Sequence, residues 1–269
     1  MRVAVLGLGE AGSIYAADLA RRGVGVTAAD PATPGVPAGV AFAGGIGDAV
    51  RGADVVLSLV GGSAAGSVLE EALPAMEPAA IFADMNTADP AEKRRLANRA
   101  GQHGIAFVDV AILAPVPRAR IETPLVLSGA GAGELLPVLT GWGIPATSAG
   151  NEAGVAAGLK LLRSVFMKGL AATIMESVTA GRAVGAEDWI IGQVASELGP
   201  SGHALVARIL EGTPRHAVRR EAEMRDARSF LETLGAPHPM TDGAIEWLHS
   251  LRGRSQDEPR ASAPDGGQS

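Results

Sequence analysis

Cysteine is absent from the 269 residues, which excludes disulfides, thiolate metal sites and cysteine nucleophiles. Lysine is scarce: of 23 basic residues, only Lys93, Lys160 and Lys168 are not arginine. Arginine cannot give up its proton at working pH, whereas a desolvated lysine can, so a lysine kept in such a chain hints at proton chemistry. No stretch approaches about 18 apolar residues without a break, and no membrane span is expected. The formal net charge of -6 argues against a nucleic-acid surface. The apolar start is cut short by glycines and Glu10, so it does not read as a signal peptide, and a cytoplasmic location is the default expectation. The histidines at 103, 203, 216, 238 and 249 show no metal-ligand spacing, and no metal is expected.

What the chain does have is a complete nucleotide-binding pattern in its first thirty residues. Val3 to Leu6 is an apolar run short enough for one buried strand. Gly7, Gly9 and Gly12 follow in G-x-G-x-x-G spacing, then a helical pattern from Ile14 to Arg22, a second apolar run from Val24 to Ala29, and Asp30. Gly7 serves the tight turn, Gly9 lets a pyrophosphate approach the backbone, and Gly12 lets helix and strand pack closely. The helix start offers unpaired N–H groups and the positive end of its dipole to phosphates. Asp30 stands where a carboxylate accepts hydrogen bonds from a ribose. With 36 glycines in the chain the triplet alone is weak, but strand, glycines, helix, strand and acid together imply a bound dinucleotide. Asp30 repels a 2′-phosphate and no basic residue follows in PATPG, so NAD is expected, with NADP as the alternative.

Further strands are expected at 53–60, 80–84 and 105–109, with helices at 64–73 and from Asp89-Pro90, where Asp89 is an N-cap and Pro90 the first helical residue. Residues 31–40 read as a loop. Shorter strands at 124–128 and 146–149 flank a helix at 132–139. Alternation of strand and helix predicts a parallel, doubly wound sheet over residues 1–150, with its ligand crevice beyond the carboxyl ends of the strands. The loops after Leu6, Val60, Asp84 and Asp109 then converge on that crevice. From Asn151, read as an N-cap, Val155, Leu159, Leu162, Phe166, Leu170, Ile174 and Val178 form one apolar stripe on a long helix. Helices are expected at 188–197, 202–211, 215–234 and 241–251, so residues 151–251 form an all-α domain. The polar, Pro/Gly-rich residues 252–269 read as a disordered tail.

Four segments carry a family resemblance over about residues 1–250: GLGEAGS at 7–13, ADMNTADP at 83–90, FVDVAILAPVPRARIETPLVLSG at 107–129 and GLKLLRS at 158–164. The chain resembles the β-hydroxyacid dehydrogenases, which include 3-hydroxyisobutyrate dehydrogenase and tartronate semialdehyde reductase and are related to 6-phosphogluconate dehydrogenase; within them it is similar to the phosphogluconate-dehydrogenase-like branch. The resemblance implies a Rossmann domain followed by an all-α domain entered through a long interdomain helix. It puts Lys160 on the catalytic lysine and Ser164 on the family's asparagine. Asn86 replaces the serine of the family's D-x-S-T-x-x-P, and Thr87 is kept. Leu113-Ala114-Pro115 stands where the family's Ser-Gly-Gly grips the substrate carboxylate, so recognition must differ; Arg118 and Arg120 can supply it. Where the family has a Lys-Asp pair on a late helix, an ungapped count reaches Ala222 and Glu223, with Arg219 and Arg220 one turn earlier.

The expected cofactor contacts are Gly7, Leu8, Gly9, Glu10, Ala11, Gly12, Asp30, Val60, Gly61 and Thr87. The expected substrate contacts are Asn86, Ser164 and Arg118, for a small-molecule substrate. Lys160 is expected to take a proton from a substrate hydroxyl as hydride leaves the same carbon, and to return it in reverse. The leading expectation is an NAD(P)-dependent oxidoreductase acting on a small hydroxy acid or its oxo form. Alternatives are an imine reductase, which shares this architecture but commonly carries Asp or Tyr at the lysine position, and a catalytically silent NAD-binding regulator. The resemblance also implies a homodimer through the helical domain.

Overall fold

Short Val/Ala/Leu/Ile runs bounded by Gly or Asp build the strands, as a sheet buried on both faces demands. The computed structural model describes residues 1–32 and 35–252. The chain divides into two compact units, Met1–Lys160 and a second from Leu161 onward. The elements of the first are β1 (Arg2–Leu6), α1 (Glu10–Arg21), β2 (Gly25–Ala29), β3 (Val40–Phe42), α2 (Ile46–Val50), β4 (Val55–Ser58), α3 (Ala65–Ala72), β5 (Ile81–Asp84), α4 (Pro90–Gln102), β6 (Ala106–Ile112), α5 (Val116–Ala119), β7 (Leu125–Ser128), α6 (Ala132–Gly141) and β8 (Ala146–Ser148).

The eight strands form one sheet in the order β3-β2-β1-β4-β5-β6-β7-β8. The chain builds outward from β1 to β3, returns to the centre, and builds the other way from β4. The switch lies between β1 and β4, where open α/β sheets open a ligand crevice at the carboxyl edge. Alternate residues serve opposite faces. Val3, Val5, Leu57 and Val108 pack with Tyr15, Leu19, Leu135 and Leu139 on one side. Ala4, Leu6, Val56, Phe82 and Phe107 pack with Leu69 and Leu96 on the other. The pairing register aligns Leu6, Ser58, Asp84, Asp109 and Ser128 in one row across five strands. That row is where the sheet interior turns from apolar to polar.

The sheet is not wholly parallel: β7 runs antiparallel to β6. Between them lie only α5 and a 3-10 turn at Arg120–Glu122, and Leu113 N–H donates to Pro124 O at 3.0 Å, closing the excursion at its base. No crossover helix carries the chain to the far edge, so the strand returns beside its predecessor. Asp89 caps α4 as expected, accepting from Ala91 and Glu92 N–H at 2.8 and 3.0 Å, with Pro90 as first residue. Val40, the last residue read as loop, opens β3, a three-residue edge strand whose Ala41 and Phe42 are exposed.

A 29-residue helix, α7 (Val155–Ala183), leaves the first unit. It starts four residues after Asn151, which is not its cap. Gly154 adopts φ +92, a left-handed conformation that interrupts any helix from 151, and a Cβ there would stand 2.5 Å from Pro90 O. In the second unit α7 is followed by α8 (Glu187–Glu197), α9 (Gly202–Arg215), α10 (Ala217–Thr233) and α11 (Pro239–Ser250). Ile174, Met175 and Val178 of α7 pack with Val206, Ile209, Ala217, Met224, Ile245 and Leu248. The expected disordered tail lies, beyond Arg252, outside the described residues. Among the described residues no helix is long and apolar enough to cross a membrane.

Candidate functional site

The glycine turn joins β1 to α1 at the switch point. Gly7 sits at φ +90, and a Cβ on it would lie 2.6 Å from Leu59 O. A Cβ on Gly12 would lie 1.9 Å from Gly7 O, so the helix rests directly on the turn. Gly9 is the opposite case: its Cβ position meets nothing within 4 Å. It is the N-cap of α1, and no side chain caps that helix. The first N–H groups of a helix have no intrahelical partner. Those of Glu10, Ala11 and Gly12 therefore face an open cradle that a Cβ on Gly9 would fill, the surroundings an anionic pyrophosphate requires. The residues present fit a dinucleotide.

Asp30 follows β2 and lies beside this turn. Its carboxylate accepts from Leu8 N–H at 2.6 Å and from Ala32 N–H at 2.8 Å. Each carboxylate oxygen keeps a second acceptor direction, so the group is oriented without being used up. The loop after β4 forms the next wall: Val60 is half-buried and Gly61 exposed. Gly61 N–H donates to Asn86 Oδ1 at 2.7 Å, tying this loop to the one after β5.

Asn86 is buried, and its amide is consumed by the protein. Nδ2 donates to Ser58 Oγ at 2.9 Å and to Asp84 Oδ1 at 2.5 Å. Both donors hold the loop in place. The neighbouring Thr87 is exposed, and Lys160 Nζ donates to its Oγ1 at 3.1 Å. Lys160 is half-buried, on the second turn of α7. The lysine and the threonine that the resemblance singled out are thus brought together, on the loop that adjoins the glycine turn's neighbour strand.

Beneath them lies a cluster that the sequence reading passed over. The polar row Ser58, Asp84, Asp109 and Ser128 is buried, and Lys93 of α4, also 1% exposed, enters it. Its ammonium donates to Asp84 O at 2.9 Å and Oδ2 at 3.0 Å, and stands 3.2 Å from Asp109 Oδ1. Asp109 Oδ2 accepts Ala157 N–H at 2.9 Å and Gly154 N–H at 3.2 Å, while Ser128 Oγ accepts Ala156 N–H at 2.9 Å. These strand residues, not Asn151, cap α7. The scarcity of lysine was the one sequence signal that pointed at position 93.

Ser164 belongs to the second unit, where its hydroxyl accepts from Lys168 Nζ at 2.9 Å and Lys168 pairs with Glu223 Oε2 at 2.8 Å. Arg118 lines an open cleft with Asp18, Arg21, Arg22 and Arg120, at the end of α1 remote from Gly9. Arg21 is eleven residues beyond Glu10, about 16 Å along the helix. Arg120 Nη2 pairs with Asp18 Oδ1 at 2.6 Å and draws the loop onto that end. Arg118 is therefore not brought to Thr87 and Lys160. Burial works against the Asp18 carboxylate, but the Arg120 hydrogen bond, Ile121 N–H and the charges of Arg120 and Arg21 outweigh it and hold the group below its usual range. Among the described residues no group of His, Asp or Glu is placed to hold a metal.

Comparison with known proteins adds to this geometry. Residues 2–137 match the family model described as the NAD binding domain of 6-phosphogluconate dehydrogenase. Residues 182–251 match one described as a domain of unknown function (DUF1932). The conserved hypothetical protein of Sinorhizobium meliloti 1021 superimposes with a TM-score of 0.79 at 28% identity, covering 97% of this chain and 91% of that one. An uncharacterized 28.5 kDa protein encoded in a 7S RNA 5′ region of Methanothermus fervidus is 27% identical over 184 residues, 68% of this chain and 70% of that protein. Mycobacterium tuberculosis 3-hydroxyisobutyrate dehydrogenase, in a structure with L-serine, gives a TM-score of 0.78 over 93% of this chain and 99% of that one. Its identity is 19%, so this likeness speaks to the fold alone.

Proposed function

Because the chain belongs to the family of the NAD binding domain of 6-phosphogluconate dehydrogenase, we propose that it is an oxidoreductase exchanging hydride between NAD and a small hydroxy acid or its oxo form, with Lys160 as general acid and base. The observation that carries this is the Lys160 Nζ–Thr87 Oγ1 contact of 3.1 Å, within the unit that holds the glycine turn. A bound nicotinamide supplies the hydride donor or acceptor. The chain's part is to hold the dinucleotide and to manage one proton. The N–H groups at the start of α1 grip the pyrophosphate, and Asp30 accepts from the ribose. Asp30 also disfavours a 2′-phosphate, which supports NAD over NADP. Thr87 Oγ1 orients the Lys160 side chain. Neutral Nζ takes the proton of the substrate hydroxyl on oxidation, and its ammonium form returns a proton to the oxygen on reduction.

The test is a screen of hydroxy acids and their oxo forms, read by NADH absorbance, followed by Lys160→Ala. Loss of Lys160 is expected to cost about 10²–10⁴ in turnover and to leave NADH affinity unchanged. Equal turnover in the variant removes Lys160 from the mechanism. No turnover of any acid by the parent, with NADH still bound, favours a silent NAD-binding protein instead.

The assembly proposed is a homodimer through the helical domain. Leu159, Leu162 and Phe166 of α7, spaced three and four residues apart, are 44%, 40% and 66% exposed within the single chain. Further along that stripe Ile174 and Val178 are buried. An apolar helix face of this kind marks an interaction surface, and a second copy of the chain is the occupant the family resemblance favours.

A further inference from the structure

We propose that Lys93 is the positioning residue of this site: its buried ammonium couples the loop that carries Thr87 to the helix that carries Lys160, and so sets the contact between them. The inference rests on the reading of Lys160 given above.

The argument starts from the ammonium's surroundings. Lys93 lies between two carboxylates that are themselves 0% and 1% exposed, those of Asp84 and Asp109. Each carboxylate uses one oxygen toward Lys93 and the other toward one arm of the site. On one side, Asp84 Oδ1 accepts from Asn86 N–H at 3.1 Å and Asn86 Nδ2 at 2.5 Å, fixing the residue before Thr87. On the other, Asp109 Oδ2 accepts from Ala157 N–H at 2.9 Å. Ala157 lies three residues before Lys160 and therefore on the same side of α7. The two arms meet again at Lys160 Nζ and Thr87 Oγ1, 3.1 Å apart. The ring of contacts closes through the lysine, and no other cation touches either carboxylate in the described residues.

A role confined to stability does not need this connectivity. Packed apolar side chains of similar volume often stabilise as well as a buried ion pair, whereas a fixed geometry is what a buried polar network can specify. Removing the ammonium leaves two buried carboxylates without their shared cation, so they take up a proton, admit water or move apart, and each response alters an oxygen that holds one arm of the site. The carboxylate that moves on the Asp109 side carries the first turn of α7 with it.

The scarcity of lysine supplies the assay. Reductive methylation of the full-length protein with ¹³C-formaldehyde labels the α-amino group, Lys160 and Lys168, while Lys93 is protected by burial. Lys160→Arg and Lys168→Arg assign the signals. Lys160 reports the site; Lys168, bonded to Ser164 and Glu223, is the internal control. In Lys93→Met the Lys160 signal is expected to shift by more than its line width while the Lys168 signal stays. Lys93→Arg, which keeps the charge but cannot place a single ammonium between the two carboxylates, is expected to do the same and decides the matter where Lys93→Met fails to fold. Phe82→Leu, a core truncation outside the network, should lower the melting temperature without moving the Lys160 signal. An unmoved Lys160 signal in either folded network variant, or an equal shift in Phe82→Leu, overturns the proposal. Adding NADH to the labelled parent separates the two readings: a Lys160 signal indifferent to saturating NADH counts against its catalytic role, whatever the variants do.

Discussion

Gly9 and Gly12 are three residues apart in one turn, and the structure assigns them opposite consequences on substitution. Gly9 lies at φ -63 and ψ -167, a backbone region open to any L-residue, and its Cβ would meet nothing within 4 Å. Gly9→Ala then loses a modest N-cap preference, about 0.5–1 kcal/mol. Reduced freedom of the unfolded chain returns about 0.4–1 kcal/mol. The net change stays within about 1 kcal/mol, or roughly 2–4 °C in melting temperature. For the dinucleotide the same methyl group stands in the approach to the N–H groups that α1 leaves unpaired. Losing one charge-assisted hydrogen bond costs about 1.5–3 kcal/mol, which weakens NADH binding by roughly 10- to 150-fold. Gly12→Ala behaves otherwise, because its Cβ would lie 1.9 Å from Gly7 O and 2.9 Å from Gly7 C, both backbone atoms. The turn cannot yield without displacing Gly7, and a loss of more than about 3 kcal/mol is expected. NADH fluorescence titration and thermal melting of the two variants separate these effects. A Gly9→Ala protein that melts like the parent and also binds NADH within about twofold of it would refute the placement of the pyrophosphate at α1, since a methyl at position 9 stands in the path to the N–H groups that start the helix.

How far the site was legible in the sequence depended on the distance over which each feature acts. The glycine turn was legible because Gly7, Gly9 and Gly12 do their work on one another and on adjacent strands; φ +90 at Gly7 and the contact of Gly12 with Gly7 O are local facts. Asp89 and Pro90 were legible for the same reason, since a cap reaches only two or three residues. The cap of α7 was not legible. Its acceptors, Asp109 and Ser128, are 45 to 48 and 28 residues away from the N–H groups they satisfy. Asn151 had the right residue type beside the right helix, but Gly154 turns the chain away before the helix begins. Lys93 was hidden by topology. Its partners become neighbours only once β5 and β6 pair with Asp84 opposite Asp109, and a charged residue on a polar helix reads by default as solvated. The place of Arg118 was not legible either, because its loop is drawn to α1 by Asp18, 102 residues from Arg120, a pairing no local pattern announces.

Three further outcomes test separate parts of the account. Asp30→Ser removes the group that accepts from the ribose and excludes a 2′-phosphate, so the ratio of NADPH to NADH affinity should rise by about tenfold or more, the worth of one charged hydrogen bond; a parent already faster with NADPH than with NADH at equal concentration sinks this reading of Asp30. Leu162→Glu with Phe166→Glu places two charges on the exposed stripe of α7, and the mass by light scattering at micromolar concentration should fall from two chains to one; a parent that is itself monomeric refutes the dimer. Asp18 tests the electrostatics that carry Arg118 away from the site. Its carboxyl is held below the ordinary value of 3.8, so the stability it contributes is complete above that value and is lost as pH falls through the depressed one. Asp18→Asn should cost about 1–2 kcal/mol at neutral pH, discounted because Arg120 is half exposed. It should also flatten the fall of melting temperature between neutral and strongly acid solution. Parallel acid profiles for parent and variant would mean that Asp18 and Arg120 do not hold the loop, and the position of Arg118 would then need another cause.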